Sequence, residues 1–304
     1  MTVCVAAMCE ERRMIVTAAD KMIGMYSIEA EPDVEKTLRL DKNWYVMCAG
    51  DDVSPAFDIV DMAKLALQSG PQPPTLTSVT YAMTTAYQAK RLGDAEKIYL
   101  SPSGYNIASF LVDGRAQLGD VEFDRVRLDL DSYELKLALL VVGFDEDGAR
   151  MFFMLSSFHR GAPQRLDIPG FFSVGSGSIA ANHMMAFREL SPMFGMRSAL
   201  YCVMEAKYFG EDAPGVGWRT DLYVLRKDEE PLKLPPRTVE KIMIEKLCAK
   251  LKPGDIERRH IEILNTLPGL DGLPTLTLPP KGLDAETGKR VKKDEFKNFL
   301  LSKP

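Results

Sequence analysis

Thr2 directly follows Met1. Threonine is small enough for removal of the initiator methionine to be expected, and a chain that then begins with threonine carries a hydroxyl beside its own α-amine. The unperturbed pKa of such an amine is roughly 7.7–8.0, so near neutral pH a useful fraction is unprotonated. One residue thus supplies both nucleophile and base, a recognised solution for acyl transfer. Two further residues could serve it. Asp20 closes the run Thr17-Ala18-Ala19-Asp20, and Lys36 opens Lys36-Thr37-Leu38-Arg39-Leu40. A lysine near the terminal amine favours its neutral form, and a carboxylate holds that lysine in place. The competing reading is plain: most chains beginning Met-Thr do nothing with the threonine, and an Asp–Lys pair is usually a solvated surface ion pair.

Other chemistries are poorly supplied. The five cysteines (Cys4, Cys9, Cys48, Cys202, Cys248) are widely spaced and contain no Cys-x-x-Cys pair, so neither zinc nor a disulfide framework is indicated. His159, His183 and His260 show no metal-ligand spacing. Gly175-x-Gly177-x-x-Ala180 ahead of a helix fits a loose dinucleotide fingerprint. It sits late in the chain with no second βα unit after it, and reads as a packing turn. Neither a metal nor an organic cofactor is expected.

The elements that must position Thr2, Asp20 and Lys36 are strands. Residues 3–8 and 14–19 are β-rich runs joined by the polar turn Glu10-Glu11-Arg12-Arg13, which predicts a hairpin. Residues 36–40 and 44–48 form a second pair, ended by Ala49-Gly50. A helix is expected from Ser54 as N-cap, with Pro55 at its first position and Ile59, Val60, Ala63 and Leu67 on its apolar face. After the break Gly70-Pro71-Gln72-Pro73-Pro74, a second helix is expected over about 78–91. Segment 94–134 gives no clear element; DVEFDRVRLDLD alternates like a strand yet is rich in Asp, a poor strand former. Strands are expected at 136–144, 149–156, 171–174 and 221–225, and helices at about 179–189 and 196–209. Strands cluster and helices come in pairs, unlike the alternation of a doubly wound sheet; two antiparallel sheets with helix pairs on their outer faces satisfy the order.

The sequence resembles the proteasome-type N-terminal nucleophile (Ntn) hydrolases: proteasome β-subunits, bacterial HslV and the bacterial Anbu proteins. MTVCVAA resembles the Met-Thr-x-Cys-Val start of Anbu, and IVTAAD the strand ending in the family's catalytic acid. EKTLRLDKNWYVMCAG resembles the lysine-bearing strand, turn and strand that end in Ala-Gly, and the spacings from Asp20 to Lys36 and from Lys36 to Gly50 match the family without a gap. FFSVGSGS and EAKYFGEDAPGVGWRTDLYVL resemble the later Gly-Ser-Gly segment and the final helix, turn and strand. The resemblance covers roughly residues 2–228 and lies in the order and spacing of these motifs. It implies Thr2 as nucleophile, Asp20 and Lys36 as its support, the Gly50 N–H as an oxyanion donor, and Ser176 and Asp212 as a second polar layer near the amine. Ile23, Val34, Leu38 and Cys48 would line the first specificity pocket and favour an apolar residue before the cut. There are departures. The Glu10–Arg13 turn carries two extra residues, which preserves the face of each side chain. Without that insertion Cys4 would fall on the nucleophile position. Gly215 and Val216 replace the Ser-Gly of the Asp-x-x-Ser-Gly-Gly turn, and an arginine common after the catalytic acid is missing, with Met22 near its place.

The expected fold is therefore α+β, a four-layer αββα sandwich of two antiparallel sheets (the Ntn-hydrolase fold), with residues 1–228 as the hydrolase domain. Residues 229–304 are Pro-rich, with helices expected at about 239–250 and 255–265, and read as a tethering extension. The expected activity is a threonine-type peptidase acting on peptides or unfolded proteins inside a self-compartmentalising homo-oligomeric ring. The alternatives are a catalytically silent scaffold subunit and a small-molecule Ntn amidohydrolase. Met184, Met185 and Phe187 in one helix, with Leu200, Val203 and Met204 in the next, exceed what one inner face needs and suggest a subunit interface. The formal net charge of −5 over 304 residues argues against a nucleic-acid partner. No apolar run approaches the roughly 20 residues that span a bilayer, and no basic residue precedes the first apolar stretch, so neither a membrane span nor a secretory signal is expected. The cytoplasm is the expected location.

Overall fold

The computed structural model describes residues 2–25, 28–30, 35–157 and 159–235. Two five-stranded antiparallel sheets and six helices make up the architecture of the described residues. The first sheet contains β1 (Val3–Cys9), β2 (Met14–Asp20), β10 (Phe171–Gly175), β11 (Thr220–Arg226) and β12 (Leu232–Lys233), in the order β10-β1-β2-β11-β12. The second contains β5 (Thr37–Asp41), β6 (Trp44–Gly50), β7 (Leu137–Asp145), β8 (Gly148–Leu155) and β9 (Gln164–Arg165), paired in chain order. A separate hairpin joins β3 (Ile23–Met25) to β4 (Ile28–Ala30).

Alternation along the strands explains the layering. On β1, Cys4, Ala6 and Met8 join a core shared with Tyr45, Met47 and Ala49 of β6 and with Leu140, Val142 and Phe144 of β7. The two sheets therefore pack face to face. The intervening residues of β6 and β7, including Trp44, Val46, Cys48, Leu139 and Val141, enter a second core beneath α1 (Ser54–Gln68) and α2 (Leu76–Tyr99). On the outer face of the first sheet, α5 (Ser178–Phe187) packs on β10, and α6 (Met196–Gly210) packs on β1 and β2. Strands covered on both faces read as continuous apolar runs, as VCVAAMC and LALLVVGF do.

The β1–β2 turn places Glu10, Glu11 and Arg12 at φ +51°, +55° and +65°. Its left-handed backbone is held from outside: Glu10 and Glu11 N–H donate to Phe194 and Pro192 carbonyls, and the Arg12 carbonyl accepts from Ala149 N–H.

Several expectations need correction. Ser54 is the first helical residue rather than the N-cap; Val53 holds that place without a side-chain cap, while Asp52 accepts from Ser54 N–H. The second helix starts earlier, at Leu76, behind a Thr75–Ser78 capping box, and continues to Tyr99. Most of segment 94–134 is helical: α3 (Ile107–Leu118) and α4 (Asp120–Ser132) clasp Phe110 against Phe123 at 4.7 Å between ring centroids. The apolar surplus expected on α5 and α6 is consumed inside the chain. Met184, Met185, Leu200, Val203 and Met204 are buried, and of that set only Phe187 is exposed, at 55%. The first residues of the expected extension add β12 to the first sheet; the rest, with both of its expected helices, lies outside the described residues. Among the described residues, no helix is long and apolar enough to cross a membrane.

Candidate active site around Thr2

The hairpin brings the ends of its strands together. Thr2 immediately precedes β1 and Asp20 ends β2, and with Cys4 opposite Ala19 the carboxylate lands beside the first residues of β1. Lys36 arrives from the second sheet just ahead of β5, its carbonyl accepting from Cys48 N–H at 3.1 Å. Thr2, Asp20 and Lys36 are all buried, at 1%, 1% and 3% exposure.

Their side chains form one cluster. The Thr2 hydroxyl donates to Asp20 Oδ1 and accepts from Lys36 Nζ. Lys36 Nζ also reaches Asp20 Oδ1 at 3.1 Å. A buried ion is tolerable only when paired and hydrogen-bonded, and Asp20 meets that condition through main-chain donors as well. Val3 N–H donates to Oδ1 at 2.9 Å, while Met22 and Gly217 N–H donate to Oδ2 at 3.0 and 3.1 Å. The hydroxyl oxygen sits between the Lys36 ammonium, which donates to it, and the Asp20 carboxylate, to which it donates. A cation beside a hydroxyl favours its deprotonated form.

Ser176 stands on the backbone side of Thr2. Thr2 N–H donates to Ser176 Oγ at 3.2 Å, and that hydroxyl lies within donor reach of the Thr2 carbonyl at 3.3 Å and the Pro214 carbonyl at 3.4 Å. Gly50 ends β6 opposite Leu137 and lines the same cleft of about 600 Å3 as Thr2 and Ser176. A β-carbon there would meet the Lys136 carbonyl oxygen at 2.7 Å, so the close approach requires glycine. The Gly175–Gly177 pair is a packing turn: Gly175 has φ +102°, and a β-carbon on Gly177 would lie 2.5 Å from the Gly210 carbonyl oxygen of α6.

Thr2, Asp20, Lys36, Gly50 and Ser176 are thus brought together; Asp212 is not. It is exposed in the turn after α6, and its carboxylate takes no part in the cluster. Gly215, at φ +71°, occupies a left-handed position in that turn. Leu38 and Cys48 share the core between the second sheet and α1 and α2; Cys48 is buried, its thiol directed at the Lys36 carbonyl. Val34 and the side chain of Ile23 lie outside the described residues. Cys4 points into the inter-sheet core at 0% exposure, and burial pushes its thiol well above the ordinary range despite the nearby Lys36. A thiolate nucleophile is not available there.

Sequence reasoning missed Lys207. This fully buried lysine of α6 pairs with Glu211 and donates to the Gly217 carbonyl at 2.8 Å and the Trp218 carbonyl at 3.1 Å, fixing the loop that delivers Gly217 N–H to Asp20. A signal existed: Lys207 lies at helical spacing on the apolar stripe Leu200, Val203, Gly210. Among the described residues, no group of three or more His, Cys, Asp or Glu side chains is placed to hold a metal ion.

No protein-family model matches the chain, and no curated protein matches it.

Proposed function

We propose that this chain is a proteasome-like threonine-type peptidase of the Ntn-hydrolase fold, with Thr2 as the first residue of its mature form. The observation that carries the proposal is the Thr2 hydroxyl, hydrogen-bonded to both Asp20 and Lys36 within one buried cluster. Two facing antiparallel sheets between helix pairs are compatible with that fold.

In this reading the α-amine of Thr2 is free. The Thr2 hydroxyl attacks the peptide carbonyl carbon as its proton passes to the α-amine, and Lys36 stabilises the oxygen as it becomes nucleophilic. The carbonyl oxygen takes up the negative charge, with Gly50 N–H as donor. Collapse breaks the C–N bond, the leaving amine takes the proton, and Thr2 is left as an ester. Water, deprotonated by the same amine, then hydrolyses the ester and restores the hydroxyl. Leu38 and Cys48, uncharged and packed with α1 and α2 residues, suit an apolar residue before the cut.

Intact-mass analysis combined with covalent labelling by a threonine-directed inhibitor tests the proposal. The expected result is loss of Met1 alone and one inhibitor adduct on Thr2. Retained Met1, or an acetylated Thr2, overturns it.

A silent scaffold subunit is the second reading, favoured by the exposed Asp212 and by Gly215-Val216 in place of Ser-Gly. It predicts an assembly that resists the inhibitor. A self-compartmentalising oligomer would cover the exposed Ile179 and Phe187 of α5. Light scattering should then give a mass several times 33.9 kDa. A monomer that still hydrolyses a small amide would favour the amidohydrolase instead.

A further inference from the structure

Lys36 is anchored on both sides. Its own carbonyl accepts from Cys48 N–H. Ahead of it, Glu35 reaches across to the first sheet. There Tyr223 Oη donates to Glu35 Oε1 at 2.8 Å, and Lys233 Nζ donates to the same oxygen. Tyr223 belongs to β11 and Lys233 to β12, and the two are register partners. Lys233 Nζ also lies 3.1 Å from Oδ1 of Asp221, two residues before Tyr223 on β11. That oxygen is 3.3 Å from Nζ of Lys21, the residue after Asp20. One ion-pair network, Glu35–Lys233–Asp221–Lys21, thus joins the residue before Lys36 to the residue after Asp20.

An exposed Lys–Glu pair alone contributes little. The far half of this network is not exposed: Asp221 and Lys21 are buried, at 3% and 8%. A buried carboxylate is costly without a cation beside it, and Asp221 has two, at 3.1 and 3.3 Å. Lys233 is itself held in place. Its ammonium lies 5.3 Å from the centre of the Tyr223 ring. The next residue, Leu234, is buried, with its N–H donating to the Leu222 carbonyl at 2.9 Å. The Lys233 ammonium holds the Glu35 carboxyl below its ordinary range, so the pair is charged at neutral pH.

We propose that Lys233, in the C-terminal extension, is a positioning residue for the Thr2 site. By holding Glu35 and sharing Asp221 with Lys21, it fixes the approach of Lys36 to Asp20 and Thr2. The first strand of the extension is then part of the hydrolase site as well as a tether. Its effect on turnover rests on the peptidase reading, whereas the ordering of residues 35–38 needs no catalysis.

Two measurements on the full chain test this, under conditions where circular dichroism shows each variant folded. In hydrogen exchange followed by mass spectrometry, Lys233→Met should speed exchange over residues 35–38 by about tenfold or more. In peptide hydrolysis, Lys233→Met should lower kcat by about tenfold or more with KM within about twofold, as a misplaced Lys36 requires. Lys233→Arg, which keeps the charge, should hold both quantities within about threefold of wild type. Lys42→Met is the control: it removes the exposed Lys42–Asp228 pair just beyond β5 and should change neither quantity. Should Lys233→Met fail to fold, Glu35→Gln breaks the same ion pair from its partly exposed end and should give the same two effects. Faster exchange over 35–38 in a chain that shows no turnover even as wild type leaves Lys233 standing as the support of Lys36 and removes the peptidase reading. Wild-type exchange in Lys233→Met, unchanged kcat in an active enzyme, or an equal effect from Lys42→Met overturns the inference.

Discussion

Gly175 passes so close to Thr2 that a β-carbon on it would lie 2.2 Å from the Thr2 carbonyl oxygen. Its φ of +102° is a second reason for glycine. Gly175→Ala should therefore cost about 2 kcal/mol or more of stability and displace Thr2, lowering kcat more than a stability loss explains. Gly93 of α2, where a β-carbon meets nothing within 4 Å, is the control. Gly93→Ala should stabilise by about 0.5–1 kcal/mol and leave turnover intact. Urea titrations beside peptide hydrolysis check both.

Thr2→Ala and Lys36→Ala should each abolish hydrolysis. Asp20→Asn should be severe as well, because it leaves a buried lysine without its counter-ion, a loss of about 3–5 kcal/mol when one partner of a buried pair is removed. Circular dichroism should show folded protein for Thr2→Ala. Near-normal turnover in Lys36→Ala would end the proposed mechanism.

Lys207→Met should act at a distance. It leaves the buried Gly217 carbonyl and the half-buried Trp218 carbonyl without their Lys207 donor and removes the cation beside Glu211, whose carboxyl burial already raises above its ordinary range. We expect a stability loss of about 3 kcal/mol. We also expect a fall in kcat as Gly217 N–H leaves Asp20, read from urea titrations and single-turnover rates.

Three of the four buried thiols among the described residues give the fold an alkaline limit. Burial raises Cys48 to about 11 and Cys9 to about 12, and raises Cys4 well above its ordinary value. Folding therefore keeps protons that an unfolded thiol releases from about pH 8.5. The stabilisation is complete below that pH and is lost as pH rises through the folded values, by about 1 kcal/mol per thiol at pH 9.5. Urea midpoints from pH 7.5 to 9.5 should fall accordingly, and Cys48→Ala should flatten the slope by one thiol. Cys4→Ser should leave hydrolysis in place; abolished turnover would point to a cysteine nucleophile.

The strands that carry Thr2, Asp20 and Lys36 were legible because their apolar runs are short and bounded by polar turns, as at Glu10–Arg13. DVEFDRVRLDLD was not, because its alternation hides a helical face: Phe123, Val126 and Leu130 fall three and four apart and meet Phe110. That partner lies outside the segment, so local pattern alone could not choose between the periods. At the site, side chains announced themselves and main-chain donors did not. Asp20 could be nominated by type, but the N–H groups of Met22 and Gly217 have no residue signature. Asp212 had the right type and spacing, yet the turn carries it into solvent. The Lys233–Glu35 contact joins residues 198 positions apart, which no single stretch of sequence encodes.

The hydrogen bond from Gly217 to Asp20 spans 197 positions. A ribosome makes Thr2 more than two hundred residues before Gly217. Throughout that interval the carboxylate beside Thr2 lacks one of its main-chain donors, and the loop clamped by Lys207 does not yet exist. The residue proposed to cut peptides is thus made well before one of the donors that complete its surroundings. Order of synthesis alone keeps the nascent chain from presenting the completed Thr2–Asp20–Lys36 cluster before Gly217 has been made.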